Sequence, residues 1–218
     1  MSTNASYQQG VLDGLNVSEI FGPIWQGEGP STGRLFTFIR LQGCNLRCSF
    51  CDTPYAILSD KGRAWTVEDV AARVRSLSRS TPCLLTGGEP LLQRENVIKL
   101  IRALSDRMFE IETNGTQEPI YGATVKYNVS PKTFKMTDVL EHYIGGASTF
   151  KFVCHTVEDV AQVAVMGLPP EAVWIMPLGK TVLEIDASLA AIRDETLRHG
   201  FCITDRMHIR LWGGKRGY

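Results

Sequence analysis

The stretch GCNLRCSFCDTPYA, residues 43–56, decides how this chain is read. Cys44, Cys48 and Cys51 fall within eight residues, spaced Cys-x₃-Cys-x₂-Cys, and leave a thiol-binding metal one ligand short. A structural zinc site closes four tetrahedral ligands, and an iron–sulfur centre that only carries electrons also takes four. No second Cys-x-x-Cys completes a zinc ribbon, and His142 and His155 lie far along the chain. Three thiolates on a four-iron cluster leave one iron open to chelate a small molecule, as a catalytic zinc keeps an open position.

Directly before the loop, LFTFIRL (Leu35 to Leu41) reads as a strand. Further strand-like runs are PCLLT from Pro82, MFEIET from Met108, VKYNVS from Val125, TFKFVC from Thr149, AVWIMP from Ala172 and MHIRLW from Met207. Helical patterns lie between several of them. The clearest places Val67, Val70, Ala71, Val74 and Leu77 on one face, with Thr66 as N-cap and Asp69 three residues on, and TVEDVA recurs at Thr156 as a reused helix start. Alternating strands and helices predict a mainly parallel α/β sheet with functional residues at the carboxyl ends of its strands. The cysteine loop, TGGEP from Thr86, ETNG from Glu112 and SPK from Ser130 all follow strands in this way. A complete eight-stranded barrel takes roughly 250 residues. The expectation is therefore a partial, incomplete parallel β/α barrel of about six strands with few helices, a single domain over residues 1–218 with 1–17 as a mobile tail.

Lys plus Arg and Asp plus Glu number 23 each, so no net field argues for nucleic acid or an acidic membrane surface, and a small substrate is expected. No apolar run approaches a membrane span and no secretory leader opens the sequence, which predicts a cytoplasmic protein. Cys83, Cys154 and Cys202 sit singly in apolar runs and read as small buried hydrophobes without a role.

The cysteine triplet, with Phe50 just before its last member and Gly87-Gly88-Glu89-Pro90 in the expected order after it, resembles the radical S-adenosylmethionine superfamily. The resemblance implies a 4Fe–4S cluster on Cys44, Cys48 and Cys51. It also implies S-adenosylmethionine chelated by the open iron and cleaved reductively to a 5′-deoxyadenosyl radical. It names Phe50, Cys51, Asp52, Gly88, Glu112, Ser130, Pro131, Lys132, Met176 and Pro177 as cofactor-binding residues.

Upstream, EIFGPIWQGEGPSTGRLFTFIRLQGC (Glu19 to Cys44), with CDT closing the loop and ETNG and SPK beyond, is similar to the 7-carboxy-7-deazaguanine synthase family from about Glu19 to Pro177. That resemblance implies a carbon–nitrogen lyase that contracts 6-carboxy-5,6,7,8-tetrahydropterin to 7-carboxy-7-deazaguanine with loss of ammonia, on the route to queuosine. Trp25, Gln26, Gly27, Glu28, Arg40 and Thr86 are then substrate-binding. Gln26 and Glu28 address the pterin edge, and Arg40 meets the acid, because a buried charge must be paired. Thr53 would ligate a Mg²⁺ shared with the substrate, or else cap the turn into Pro54. A reducing flavodoxin or ferredoxin and a homodimer are implied as partners.

The alternatives are a glycyl-radical-enzyme activase, which shares GCNLRC but acts on a protein backbone, and a non-catalytic electron-transfer protein, which needs neither TGGEP nor SPK. Leu178-Gly179 and the tail LWGGKRGY depart from the family pattern, leaving open the adenine contact and any role of Tyr218.

Overall fold

The computed structural model describes residues 14–121 and 125–217. Most of the expected tail, residues 1–13, lies outside them, as does Tyr218. The strand that follows begins at Leu15, inside the expected tail, because Leu15 and Val17 are buried core residues.

The described residues divide into two compact units, the first formed by residues 14–23, 36–112, 119–121 and 125 and the second by residues 24–35, 113–118 and 126–217. In the first, strands β1 (Leu15–Trp25), β2 (Leu35–Leu41), β3 (Arg63–Trp65), β4 (Cys83–Gly87) and β5 (Phe109–Thr113) follow the order β3-β1-β2-β4-β5. β3 runs antiparallel to β1, with Leu15 opposite Trp65, while β2, β4 and β5 are parallel. Two helices pack with them, α1 (Val67–Leu77) and α2 (Arg94–Ala103). α1 forms as its pattern requires: the Thr66 hydroxyl accepts from Asp69 N at 3.0 Å, and Val67, Val70, Ala71 and Val74 are the buried face.

In the second unit β6 (Val125–Val129), β7 (Ser148–Cys154), β8 (Val173–Pro177) and β9 (Cys202–Ile203) lie side by side, all parallel. The helices here are α3 (Asp138–Glu141), α4 (Val157–Ala164), α5 (Val182–Arg198) and α6 (Met207–Trp212). Capping boxes open α4 at Thr156 and Asp159, and α5 at Thr181 and Glu184. β8, VWIMP, is an uninterrupted apolar run, and β7 is buried at consecutive positions Phe150, Lys151 and Phe152, as strands buried on both faces are.

The fold is thus the unclosed, mainly parallel α/β class expected, with nine strands and six α-helices among the described residues rather than about six strands with few helices. The extra strands are the short β3 and β9 at the ends of the strand orders, and β1. One expectation fails outright: MHIRLW is α6, not a strand. Its first five residues alternate in polarity, but only Ile209 is buried. The backbone of Met207 donates to Gly27 O at 2.9 Å, and Gly213, at a φ of 62°, ends the helix in the left-handed conformation that glycine adopts most readily.

Candidate active site

In the first unit β2 runs into the cysteine loop, which is closed at its neck by two backbone bonds. Gly43 N donates to Ala56 O at 2.8 Å and Cys44 N to Ile57 O at 3.0 Å. The GGEP turn after β4 lies directly against this neck: Gly88 N donates to Leu41 O at 3.1 Å and Glu89 N to Gly43 O at 2.8 Å. Both glycines are required. Gly87 has a φ of +136°, and a Cβ on Gly88 would collide with Gly43 O and approach Ala56 O at 2.8 Å. Glu89 is fully buried and caps the 3₁₀ turn Pro90–Gln93, its carboxylate accepting from Leu91 N at 3.0 Å.

Inside the loop all three cysteines are free thiols of intermediate exposure. Leu46 N points at Cys44 Sγ at 3.4 Å, and Cys51 N donates to Cys48 O at 3.3 Å. Thr53 precedes the 3₁₀ turn Pro54–Ala56 without capping it through its side chain. Its hydroxyl lies 3.8 Å from Cys51 Sγ. Phe50 is half-buried and Asp52 exposed.

The other cysteines behave differently. Burial pushes the Cys83 thiol up to about 12, against the opposing charge of Arg107, and pushes Cys154 further. Both stay protonated and inert, as their apolar settings predict. Cys202 is not fully buried, and its Sγ lies 3.8 Å from Glu171 O.

Arg40 sits on β2 with its Cα opposite that of Thr86 on β4, so the two side chains share one face of the sheet. Arg40 Nε donates to Glu19 Oε1 at 2.7 Å, and the hydroxyl of Tyr55 donates to the same oxygen at 3.0 Å. The rings of Phe21 and Tyr55 each lie 5.9 Å from the guanidinium carbon. Glu112 is half-buried near the end of β5.

In the second unit, Ser130, Pro131 and Lys132 follow β6. Lys132 Nζ donates to Ser130 Oγ at 2.8 Å, and Ser130 N to Thr113 O at 2.7 Å. Met176 and Pro177 are buried at the carboxyl end of β8. Trp25 is exposed and stacks on Trp212 with centroids 6.2 Å apart. Gln26 is buried, its backbone bonded to Arg34 O and Gly33 N and its Oε1 accepting from Gly27 N at 2.8 Å. A Cβ on Gly27 would strike His208.

Glu28 has a protein partner on each carboxylate oxygen. Its Oε2 accepts from Lys151 Nζ at 2.7 Å and its Oε1 from Arg206 Nε at 3.1 Å, with His208 Nε2 3.8 Å away. Lys151 and Arg206 are themselves buried. Burial alone would raise the Glu28 carboxyl; the charges of Lys151, Arg206 and His208 and the Lys151 hydrogen bond overcome it and hold the group well below the usual carboxylate range. Sequence reasoning missed Lys151, Arg206, His208 and Glu19. A Lys inside the apolar run TFKFVC was the one visible signal, since an unpaired cation is rarely buried.

A three-thiol loop pinned to a glycine turn at the carboxyl ends of parallel strands defines a class, and the similarities of the chain agree. The Radical SAM superfamily profile matches residues 38–176, which makes S-adenosylmethionine and a 4Fe–4S cluster its cofactors; the three thiols of the loop, none in a disulfide, fit such a cluster. Within that class the chain is 35% identical to the 7-carboxy-7-deazaguanine synthase of Pyrobaculum aerophilum, over 93% of this chain and 97% of that one. Identity is 36% to the synthase of Hyperthermus butylicus (88% and 92%) and 32% to that of Rhodopirellula baltica (88% and 84%). The chain belongs to the 7-carboxy-7-deazaguanine synthase family. Crystalline QueE from Escherichia coli superposes with a TM-score of 0.70 over 95% of this chain and 100% of that one at 24% identity, a likeness of fold. No helix among the described residues is long and apolar enough to cross a membrane.

Proposed function

We propose that this chain is a radical S-adenosylmethionine lyase that contracts 6-carboxy-5,6,7,8-tetrahydropterin to 7-carboxy-7-deazaguanine with loss of ammonia, in deazapurine and queuosine biosynthesis. The observation that carries the reading beyond family membership is Arg40: a guanidinium on the strand feeding the cysteine loop, only 14% exposed, with no hydrogen bond to Nη1 or Nη2 among the described residues. A small carboxylate satisfies such a fork; the backbone segment recognised by an activase does not call for it.

In this reading Cys44, Cys48 and Cys51 hold the cluster, which when bound supplies the single electron that opens the sulfonium of S-adenosylmethionine. The residues of the chain position and shield. Phe50, Asp52, Gly88, Glu112, Ser130, Pro131, Lys132, Met176 and Pro177 bind the cofactor, the Ser130 hydroxyl being held by Lys132. Arg40 and Thr86, paired across two strands, take the acid end of the substrate, and Trp25, Gln26 and Gly27 bind its ring. Glu28 also addresses the ring edge: Lys151 and Arg206 fix its carboxylate, and each of its oxygens has a second lone pair to offer.

Thr53 binds Mg²⁺ in this proposal. Its hydroxyl is not used as a cap, and a hard cation that keeps several waters needs few protein oxygens. Chelator-treated enzyme should lose turnover and regain it with Mg²⁺, while Thr53→Ala responds less; full activity without a divalent ion returns Thr53 to a turn residue.

The proposal places the enzyme in the cytoplasm, consistent with its free thiols, as a homodimer reduced by a flavodoxin or ferredoxin, and as one cooperative domain. Sedimentation and a single unfolding transition test the last two structural statements. The decisive assay is anaerobic incubation of reconstituted, reduced enzyme with S-adenosylmethionine and the carboxytetrahydropterin. Mass spectrometry should find the deazaguanine acid and 5′-deoxyadenosine together. 5′-Deoxyadenosine without the acid would reject this substrate.

A further inference from the structure

Arg40 is an unusual arginine because only one edge of it is held. Glu19 Oε1 takes Nε at 2.7 Å, and the end-on pair Nη1 and Nη2 has no hydrogen-bond partner among the described residues. An ordinary structural ion pair of this depth engages the outer nitrogens as well, as a buried cation loses hydration at every unpaired donor. Arg206 shows that alternative: its Nε is on Glu28 and its Nη1 on Gly179 O at 2.5 Å.

The Arg40 guanidinium is also fixed in plane and rotation. Phe21, itself stacked on Phe38 at 5.0 Å, and Tyr55 lie at equal distance from its central carbon, 5.9 Å each. Tyr55 bonds the same Glu19 oxygen at 3.0 Å, and its backbone carbonyl accepts from Gln42 Nε2 at 2.7 Å, so the arrangement is anchored to the segment just beyond the cysteine loop.

We infer that Glu19 and Tyr55 are positioning residues that hold Arg40 by its inner edge, so that its outer fork is fixed for a planar carboxylate. This rests on the reading that Arg40 takes the acid end of the substrate. A free arginine stem loses rotamer freedom when it binds; one already locked by a carboxylate, a hydroxyl and two rings loses less and presents two parallel N–H groups in one direction. Glu19 also offsets the positive charge, so that recognition depends on the fork's geometry more than on bulk attraction.

The experiment measures binding of two ligands to the reconstituted holoenzyme by anaerobic calorimetry: the carboxytetrahydropterin and the same tetrahydropterin without its carboxylate. Steady-state kinetics accompany the first. Glu19→Ala should weaken binding of the carboxylated ligand about tenfold, with KM rising by more than kcat falls, and leave the ligand without a carboxylate unaffected. Glu19→Gln, whose amide oxygen still accepts from Nε, should recover most of the loss. Tyr55→Phe should weaken the carboxylated ligand by roughly threefold, and it carries the test if Glu19→Ala does not fold. Equal losses for both ligands, or none for either, overturn the positioning role. Arg40→Ala separates the two layers: if it leaves the affinity for the carboxylated ligand unchanged, the reading of Arg40 fails, whereas if it weakens binding while the Glu19 and Tyr55 variants do not, only the positioning inference fails.

Discussion

The cysteine loop and the surroundings of Glu28 are held in opposite ways. The bonds that close the loop, from Gly43 to Ala56 and from Cys44 to Ile57, join residues thirteen positions apart, and the turn it leans on is marked by two glycines that nothing larger can replace. The Glu28 carboxylate is instead held by Lys151 and Arg206, 123 and 178 positions away. The loop keeps its thiols half-exposed and outside any disulfide, whereas around Glu28 buried charges are matched to one another. Local backbone geometry prepares the reactive part, and long-range ion pairing secures the frame. The loop's contribution should therefore appear in cluster content, and that of Glu28 in stability.

The largest effect expected on the loop side is from Cys48→Ala, which should abolish iron retention, the brown chromophore and turnover, since two thiolates do not hold four irons. Cys83→Ala, at a thiol that burial keeps protonated, should leave the iron content unchanged. Iron analysis and visible absorbance check both. If the two variants lose iron equally, the contrast between reactive and inert cysteines is wrong.

On the other side, Glu28→Ala removes the anion facing two buried cations and should destabilise the protein by about 3–5 kcal/mol, read by denaturant unfolding. The pH dependence has a definite sign. The folded carboxyl is depressed from its ordinary 4.5, so its stabilising contribution is fully present above that value and is lost as pH falls below it toward the folded value. Glu28→Gln should flatten this acid limb below about pH 4.5 and leave the slope above it unchanged. An acid limb identical to the parent's would place the stabilising charge elsewhere.

A smaller effect tests the joint between loop and turn. Gly88→Ala forces a methyl against Gly43 O and should destabilise by about 1–3 kcal/mol, while lowering iron per chain more than Glu28→Gln does. The reverse order would mean that the turn does not shape the loop. Smallest is Thr181→Ala, which removes one half of the capping box of α5; it should lower stability by about 1 kcal/mol and leave cluster content untouched.

What was legible in the sequence follows the same division. LFTFIRL, the three-cysteine spacing, GGEP, and Thr66 with Asp69 each carry their meaning within a few residues, and the structure places them as expected. MHIRLW misled because five alternating residues do not outweigh a glycine stop and a docking contact on Gly27, neither of which its own periodicity displays. Thr181 with Glu184 was readable as a capping box and went unread. The partners of Glu28 were not legible, because Lys151 and Arg206 lie 123 and 178 positions away and come beside it only in the fold. Arg40 is the intermediate case: its apolar strand marked it, but Glu19 became visible only through the pairing of side chains across strands.

The central claim is that three thiolates of this loop hold a cluster whose remaining iron is open to the cofactor. Mössbauer spectra of ⁵⁷Fe-reconstituted enzyme, recorded with and without S-adenosylmethionine, test it directly. The account predicts that about one quarter of the iron signal shifts to an N/O-coordinated site on addition of the cofactor while the rest is unmoved. A cluster whose irons all remain sulfur-ligated, with no change on addition, would contradict it.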